Sequence, residues 1–195
     1  MEVKPTRSEL IKLKNRIKLA KSGYKLLKKK RDGLILEFFE MLKETKSARK
    51  EMTEKYKDAM NKLNFLRTIE SDVTIKAAAL AIKEKPVVEV TTKNIMGVVV
   101  PNIDSTSIKK NIESRGFGFT GSSAALIEAA SAFEELLEYI VLVAEVETSL
   151  IRLLHEIDKT KRRVNALEFE VIPKLTKIKD FIQLRLEEQE RESIF

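Results

Sequence analysis

Few residues in this sequence have the types and spacing that chemistry requires. Gly116, Gly118 and Gly121 match the GxGxxG spacing of a dinucleotide-binding loop. Such a loop needs a strand before it, a helix after it and a parallel βαβ unit around it. Here the polar stretch 105–115 precedes the glycines, and one long helical pattern follows them. We therefore interpret the glycines as a connector into that helix.

The remaining chemical groups favour a protein without catalysis. The chain has no cysteine and one histidine, His155, which excludes thiolate sites and histidine-rich metal clusters. It contains no GxxxxGK[ST] loop for binding ATP phosphates. Its carboxylates are scattered along helical patterns, without a polar pocket to tune a catalytic pair. The sequence predicts a non-catalytic protein with no cofactor and no metal.

Positive charge is the most concentrated feature of the chain. The formal net charge is +7, and residues 1–31 hold twelve Lys and Arg against Glu2 and Glu9. Such a run is either a solvated face or a surface for an acidic partner. A nucleic-acid-binding coiled coil is one alternative, although no aromatic platform or groove-reading motif accompanies the charge. A homodimeric scaffold protein is another.

Two heptad patterns must position these charges. Apolar residues recur at alternating steps of three and four from Leu10 to Met41, and again from Ala125 to Val171. An average spacing of 3.5 residues predicts helices that supercoil left-handedly. The first pattern continues to Leu66 if Tyr56 belongs to the seam. We predict a first helix of some sixty residues, roughly 90 Å long at 1.5 Å per residue.

The ends and interruptions of these helices are also visible in the sequence. Thr6 and Glu9 have capping-box spacing at the start of the first helix. Ser122 and Ser123 can cap the second. We expect Pro173 to bend the second helix without ending it, because the apolar pattern continues beyond it.

The two patterns match best when they run in opposite directions. One register places Leu13 beside Ile178, Ala20 beside Val171, Leu27 beside Val164, Leu34 beside Ile157, and Met41 beside Leu150. It also places Arg31 level with Thr160, and a polar layer of this kind would fix the register. The predicted fold is mainly α: a long antiparallel two-helix left-handed coiled coil. The seam residues that we single out are Leu13, Leu27, Leu34, Leu153, Ile157, Val164 and Leu167.

The middle of the chain has a different pattern. β-Branched residues dominate residues 87–100, which predicts a short β-hairpin with Lys93 and Asn94 between its halves and Pro101 at its end. A short helical piece over 74–83 precedes it. We divide the chain into an N-terminal coiled-coil helix (1–70), a middle region with short helix, hairpin and connector (71–121), and a C-terminal coiled-coil helix (122–195).

Several blocks of the sequence resemble a known family. They are Pro5–Arg7, Leu13–Ala20, Leu27–Asp32, Gly116–Gly118, Thr160–Glu168 and Val171–Pro173. In this order they resemble the D-subunits of the V-type and A-type rotary ATPases and ATP synthases, which form the central-stalk rotor shaft, in their shorter prokaryotic form. The resemblance covers essentially the whole length.

The resemblance implies a non-catalytic shaft that couples ATP hydrolysis or synthesis to proton or sodium transport across the membrane. Its paired terminal helices would stand inside the hexamer of catalytic A and B subunits. Its middle region would contact the small central-stalk F-subunit and a funnel-shaped membrane-side stalk subunit (C/d). The protein would be peripheral, on the cytoplasmic side of the membrane, without membrane insertion, nucleic acid or homo-oligomer formation.

Two sets of residues follow as candidate contacts of such a shaft. The wall of the hexamer should meet cationic residues: Lys14, Arg16, Lys21, Lys28, Lys30, Arg31, Lys161, Arg162 and Arg163. The F-subunit should meet apolar residues of the hairpin: Val88, Val90, Ile95, Val98 and Val99.

Overall fold

The computed structural model describes residues 5–82, 88–105 and 123–193. The elements are α1 (Arg7–Ile69), α2 (Asp72–Ala81), β1 (Val88–Ile95), β2 (Val98–Ser105), α3 (Ala124–Ala166), a π-helical turn (Leu167–Val171) and α4 (Ile172–Glu192). The two strands form one antiparallel hairpin. The predicted fold class, two long helices with a small hairpin between them, is confirmed.

The chain forms two compact units. Unit 1 contains residues up to Glu37 together with those from Leu154 onward, and unit 2 contains Phe38–Leu153. Each unit takes part of α1 and part of the C-terminal helices. The segmentation at residues 70 and 121 follows element type and stays a prediction.

Unit 1 is an antiparallel helix pair. Arg7 contacts Glu190 at 2.6 Å, Tyr24 donates to Glu168 at 3.0 Å, and Lys30 lies 3.7 Å from Glu156. Later residues of α1 thus contact earlier residues of the helix opposite, which fixes the opposite directions. The Tyr24–Glu168 contact falls between the predicted neighbours Ala20–Val171 and Leu27–Val164.

Several residues of the predicted seam are buried in unit 1. Leu13, Leu34 and Val164 are 4%, 0% and 1% exposed, and Leu27, Ile157 and Leu167 are half-buried. Thr160 is buried, as a polar layer requires. The guanidinium of Arg31, however, donates to Asp32 on its own helix at 2.8 Å.

A π-helical turn accommodates Pro173 within the helix. Pro173 has no N–H, and its ring would clash with the carbonyl four residues earlier in a regular α-helix. The Ile172 N–H donates to the Leu167 carbonyl, five residues earlier, so this turn contains one residue more than an α-helical turn. Helical conformation then continues through α4. The prediction that the helix passes through Pro173 is confirmed.

Unit 2 keeps the same antiparallel register between α1 and α3. Ala59 packs with Ala132 and Leu136, and Lys55 donates to Glu135 at 3.0 Å. Two heptads beyond the predicted Met41–Leu150 pair, residue 55 is expected beside residue 136, within one residue of the observed contact.

The expectation that Tyr56 lies in the seam is wrong, since Tyr56 is 50% exposed. The steps of three and four run instead through Met52, Lys55 and Ala59. Lys55 is half-buried, and its ammonium reaches both Glu135 and the ring of Tyr139, 6.0 Å from the ring centre. A lysine can occupy a seam position because its alkyl stem packs while its charge meets a carboxylate.

Helix caps agree with the sequence. The Thr6 hydroxyl accepts from the Glu9 N–H at 3.3 Å, and the Ser123 hydroxyl accepts from the Leu126 N–H at 3.3 Å. Ser71 caps α2 in the same way, by accepting from Thr74. Each cap satisfies an N–H that has no partner within its helix. Ser122, the other proposed cap, lies outside the described residues.

The hairpin turns later and runs longer than predicted. Its turn residues are Met96 (φ 50°) and Gly97 (φ 86°), whereas Lys93 and Asn94 belong to β1. Two successive residues with positive φ form a type I′ turn, whose twist matches that of paired strands. Pro101 does not end β2, which continues to Ser105 and pairs with Val88 at its far end.

Candidate partner-binding surfaces

Candidate metal ligands and the single histidine are considered first. Within 5–82, 88–105 and 123–193, no group of three or more His, Asp or Glu side chains converges as metal ligands would. His155 is exposed on α3. The glycine motif at 116–121 lies outside the described residues. The other candidate residues lie on surfaces that could contact other proteins.

The nine cations proposed for the hexamer wall divide into two groups. Lys30 and Arg31 are half-buried and bound to carboxylates, at Glu156 and Asp32. The other seven are exposed, and among the residues that the structure describes none of them forms an ion pair. These seven, which we call the free cations, are Lys14, Arg16, Lys21, Lys28, Lys161, Arg162 and Arg163.

Four of the free cations, from both helices, meet at one level of unit 1. The Tyr24–Glu168 hydrogen bond and the Lys30–Glu156 ion pair lie on either side of that level. Lys28 and Lys161–Arg163 therefore come from different helices to the same part of the pair. The Lys28 ammonium also lies 5.7 Å from the centre of the Tyr24 ring, a cation–π contact that holds it near the surface.

Apolar side chains accompany this charge on α1. Ile11, Leu19 and Leu26 are 60%, 75% and 69% exposed. Their spacing of eight and seven residues keeps them on one side of α1, away from the seam. Sequence reasoning assigned them no role, although their steps near seven outside the seam were visible in the sequence.

The π-helical turn contains another exposed apolar residue. Phe169 lies in that turn and is 75% exposed, while its neighbour Glu168 is held by the Tyr24 hydroxyl. The sequence signal for this feature was Pro173, whose ring faces the carbonyl of Phe169 four residues earlier. Wide turns of this type occur often at functional sites.

The hairpin presents the five apolar residues proposed for the F-subunit on two different faces. Side chains alternate along each strand, and paired residues share a face. Ile95 and Val98 share the inner face with Val100, where Val98 is 8% exposed. Val88, Val90 and Val99 lie on the outer face, 41%, 63% and 52% exposed. The outer three are thus accessible to a partner, whereas Val98 packs within the chain.

Helix α2 exposes a further apolar side. Ile75 and Ala78 pack against the buried cluster of Leu66 with Leu126 and Ala129. On the opposite side Val73 and Leu80 are 77% and 85% exposed. These two side chains are accessible to a partner.

No described helix is both long and apolar enough to pass through a bilayer. Each long helix carries charged residues over its whole length, so that its apolar side chains form a seam and not a continuous coat.

Comparisons with known proteins agree with this arrangement. The family model for the D-subunits of ATP synthase matches residues 9–195. A protein from Methanoregula boonei, described as the D-subunit of an A-type ATP synthase, is 54% identical over 194 residues, covering 100% of this chain and 93% of its own length. Proteins with the same description from Methanococcoides burtonii and Haloquadratum walsbyi are 54% and 50% identical and also cover 100% of this chain, with 94% and 84% of their own lengths matched. With an antiparallel helix pair, a central hairpin and similarity over the full length, this chain belongs to the family of ATP synthase D-subunits.

Proposed function

We propose that this chain is the non-catalytic central rotor shaft of an A-type ATP synthase. It couples ATP hydrolysis or synthesis in an A/B hexamer to proton or sodium transport across the membrane. The observation that carries the proposal is the seven free cations of unit 1, at the surface of a helix pair whose buried residues form its own seam. Charges that meet no acid among the described residues are available to an acidic partner surface.

The proposed mechanism follows from symmetry. A hexamer of alternating A and B subunits has threefold symmetry, whereas a two-helix pair does not. At any angle, each catalytic interface therefore meets a different face of the pair. Different contacts stabilise open and closed interfaces to different extents, so rotation shifts their populations in sequence.

The proposed contacts use three surfaces. The free cations of unit 1 face the inner wall of the A/B hexamer. The outer valines of the hairpin, Val88, Val90 and Val99, face the small central-stalk F-subunit. The exposed side of α2 faces the funnel-shaped stalk subunit at the membrane. In this arrangement the protein is peripheral, on the cytoplasmic side, and present as one copy per complex.

Charge replacement with a matched control tests the cation surface. We expect Lys28→Gln, Arg162→Gln and Arg163→Gln together to weaken assembly with co-expressed A and B subunits, and to lower the ion transport obtained per ATP. The control variant replaces Lys46, Lys50 and Lys57 with Gln. These three lysines are also exposed and lie on α1, but they belong to unit 2. Both variants lose the same charge.

We expect weaker assembly and lower ion transport per ATP only in the variant that replaces Lys28, Arg162 and Arg163. Native mass spectrometry should show one copy of the wild-type chain per hexamer. Equal defects in both variants would show that only total charge matters. Failure of the wild-type chain to join the hexamer would refute the shaft proposal itself.

A further inference from the structure

The outer edges of the two hairpin strands differ in how their backbone groups are paired. On the outer edge of β2, Arg152 donates to the Val99 carbonyl at 2.9 Å, and Ser149 donates to the Pro101 carbonyl at 3.5 Å. Both donors belong to α3, so this edge is covered by the chain itself. The Val99 and Pro101 carbonyls therefore have partners without another strand.

Pro101 establishes which backbone groups of β1 point outward. In an antiparallel pair, hydrogen-bonded and non-hydrogen-bonded residue pairs alternate. Pro101 pairs with Thr92 and has no N–H, so this pair cannot exchange two hydrogen bonds. It is therefore a non-hydrogen-bonded pair, and the N–H and C=O groups of Val88, Val90, Thr92 and Asn94 point away from β2.

The outer edge of β1 is free in the part of the chain that the structure describes. β1 is exposed from Val88 to Asn94, and its sheet contains only the two strands. The strand is eight residues long and has neither a proline nor a bulge. A long, regular edge with unpaired backbone groups is a template for another strand.

The side chains beside this edge indicate what kind of segment fits it. Val88 and Val90 lie on the outer face of the hairpin, and Glu89 and Lys93 lie on its inner face. Cross-strand neighbours with matching apolar character or opposite charge stabilise a pair of strands, while like charges destabilise it. A suitable segment carries apolar residues on the valine side, a basic residue beside Glu89 and an acidic residue beside Lys93.

We infer that β1 binds an extended segment of the small central-stalk F-subunit as a third strand. Outward backbone groups at every second residue require an extended chain, because a helix uses its own N–H and C=O groups internally. The inference rests on the proposed function, and it specifies how the contact with the F-subunit is made: by main-chain hydrogen bonds along β1, with the valines beside them.

A proline at Thr92 separates backbone from side-chain contributions. Thr92→Pro removes one outward N–H, whereas the hydrogen bonds within the hairpin stay, as they do at Pro101 on the opposite strand. Thr92→Ala removes the side chain and keeps the N–H. We expect Thr92→Pro to weaken the binding of the purified F-subunit at least tenfold, and Thr92→Ala to change the Kd less than about threefold.

Amide hydrogen exchange gives an independent measurement on the wild-type chain. Binding of the F-subunit should slow exchange at Val90, Thr92 and Asn94. The inward amides of Thr91 and Lys93 should already be protected before binding, and they should stay protected in Thr92→Pro, which shows that the hairpin is folded.

The outcomes distinguish the inference from the proposal beneath it. Absence of any binding between the wild-type chain and the F-subunit overturns the proposed contact. Binding with equal Kd for wild type and Thr92→Pro, or without slower exchange at the outward amides, overturns strand addition alone. Loss of binding only in the proline variant, with slower exchange in the wild type, supports it.

Discussion

Leu34 and Leu36 allow a direct test of the seam, because they are the same residue type two positions apart in α1. Leu34 is 0% exposed and Leu36 is 69% exposed. Burial of a leucine side chain contributes about 1.5–3 kcal/mol, and the cavity left by truncation raises the cost of Leu→Ala to about 2–5 kcal/mol. A two-helix layer can partly close around the gap, so we expect about 3 kcal/mol for Leu34→Ala.

Leu36→Ala should change the free energy of unfolding by less than about 0.5 kcal/mol, since it removes little buried surface. Both variants exchange leucine for alanine in a helix interior, so helix propensity cancels in the comparison. The assay is urea denaturation followed by circular dichroism, with thermal melting as a second measure. For a chain of this size, about 3 kcal/mol lowers Tm by roughly 6–12 °C. Equal destabilisation by the two variants would refute the seam assignment.

Two other predictions concern local features. Met96 has φ 50° in the hairpin turn, a conformation that costs a non-glycine residue about 1–2 kcal/mol and that asparagine tolerates better. Met96→Asn should therefore slow amide exchange at the inward amides of the hairpin about fivefold, and unchanged exchange would contradict this. The hydrogen bond and charge of Glu135 raise the pKa of Lys55 above 10.5. The resulting stabilisation is present below about pH 10.5 and is lost as the pH rises through the higher folded pKa. In urea titrations at pH 9 to 12, the free energy of unfolding should fall less steeply with pH in Glu135→Gln than in the wild type. The same pH dependence in both proteins would show that the pair contributes nothing.

The register could be predicted from the sequence because both helices have a seam of period 3.5. Once the two seams are antiparallel, one correct pair fixes the others. Packing of Ala59 with Ala132 agrees with the extrapolation from Met41 and Leu150. The sequence did not identify the seam residue where Tyr56 directly follows Lys55. Tyr56 has the larger apolar surface and is exposed, whereas Lys55 is half-buried and its ammonium contacts Glu135 and the Tyr139 ring on the opposite helix.

The hairpin turn could not be located from residue preferences. Lys93 and Asn94 are polar and interrupt the β-branched run, whereas Met96 is an unusual residue for positive φ. Gly97 supplies the second turn position, and the Asn94 side chain accepts from the Gly97 N–H at 2.8 Å. Asn94 thus stabilises the turn from within β1. Its turn preference was real, but the glycine three residues later determined where the chain reverses.

Residue type also could not show which cations are available to a partner. Lys28, Lys30 and Arg31 are consecutive or nearly so, and all three carry the same charge. Lys30 faces Glu156 across the helix pair, and Arg31 binds Asp32, so partner binding through either would first have to break an existing ion pair. Lys28 has an aromatic ring beside it and no ion pair with a carboxylate in the described ranges, so its charge remains available. The difference depends on which residues of the second helix lie opposite each lysine. For Lys30, that information exists only once the two helices are paired. Arg31 is left intact because it binds the neighbouring Asp32 on its own helix, so the charge-replacement variant uses Lys28.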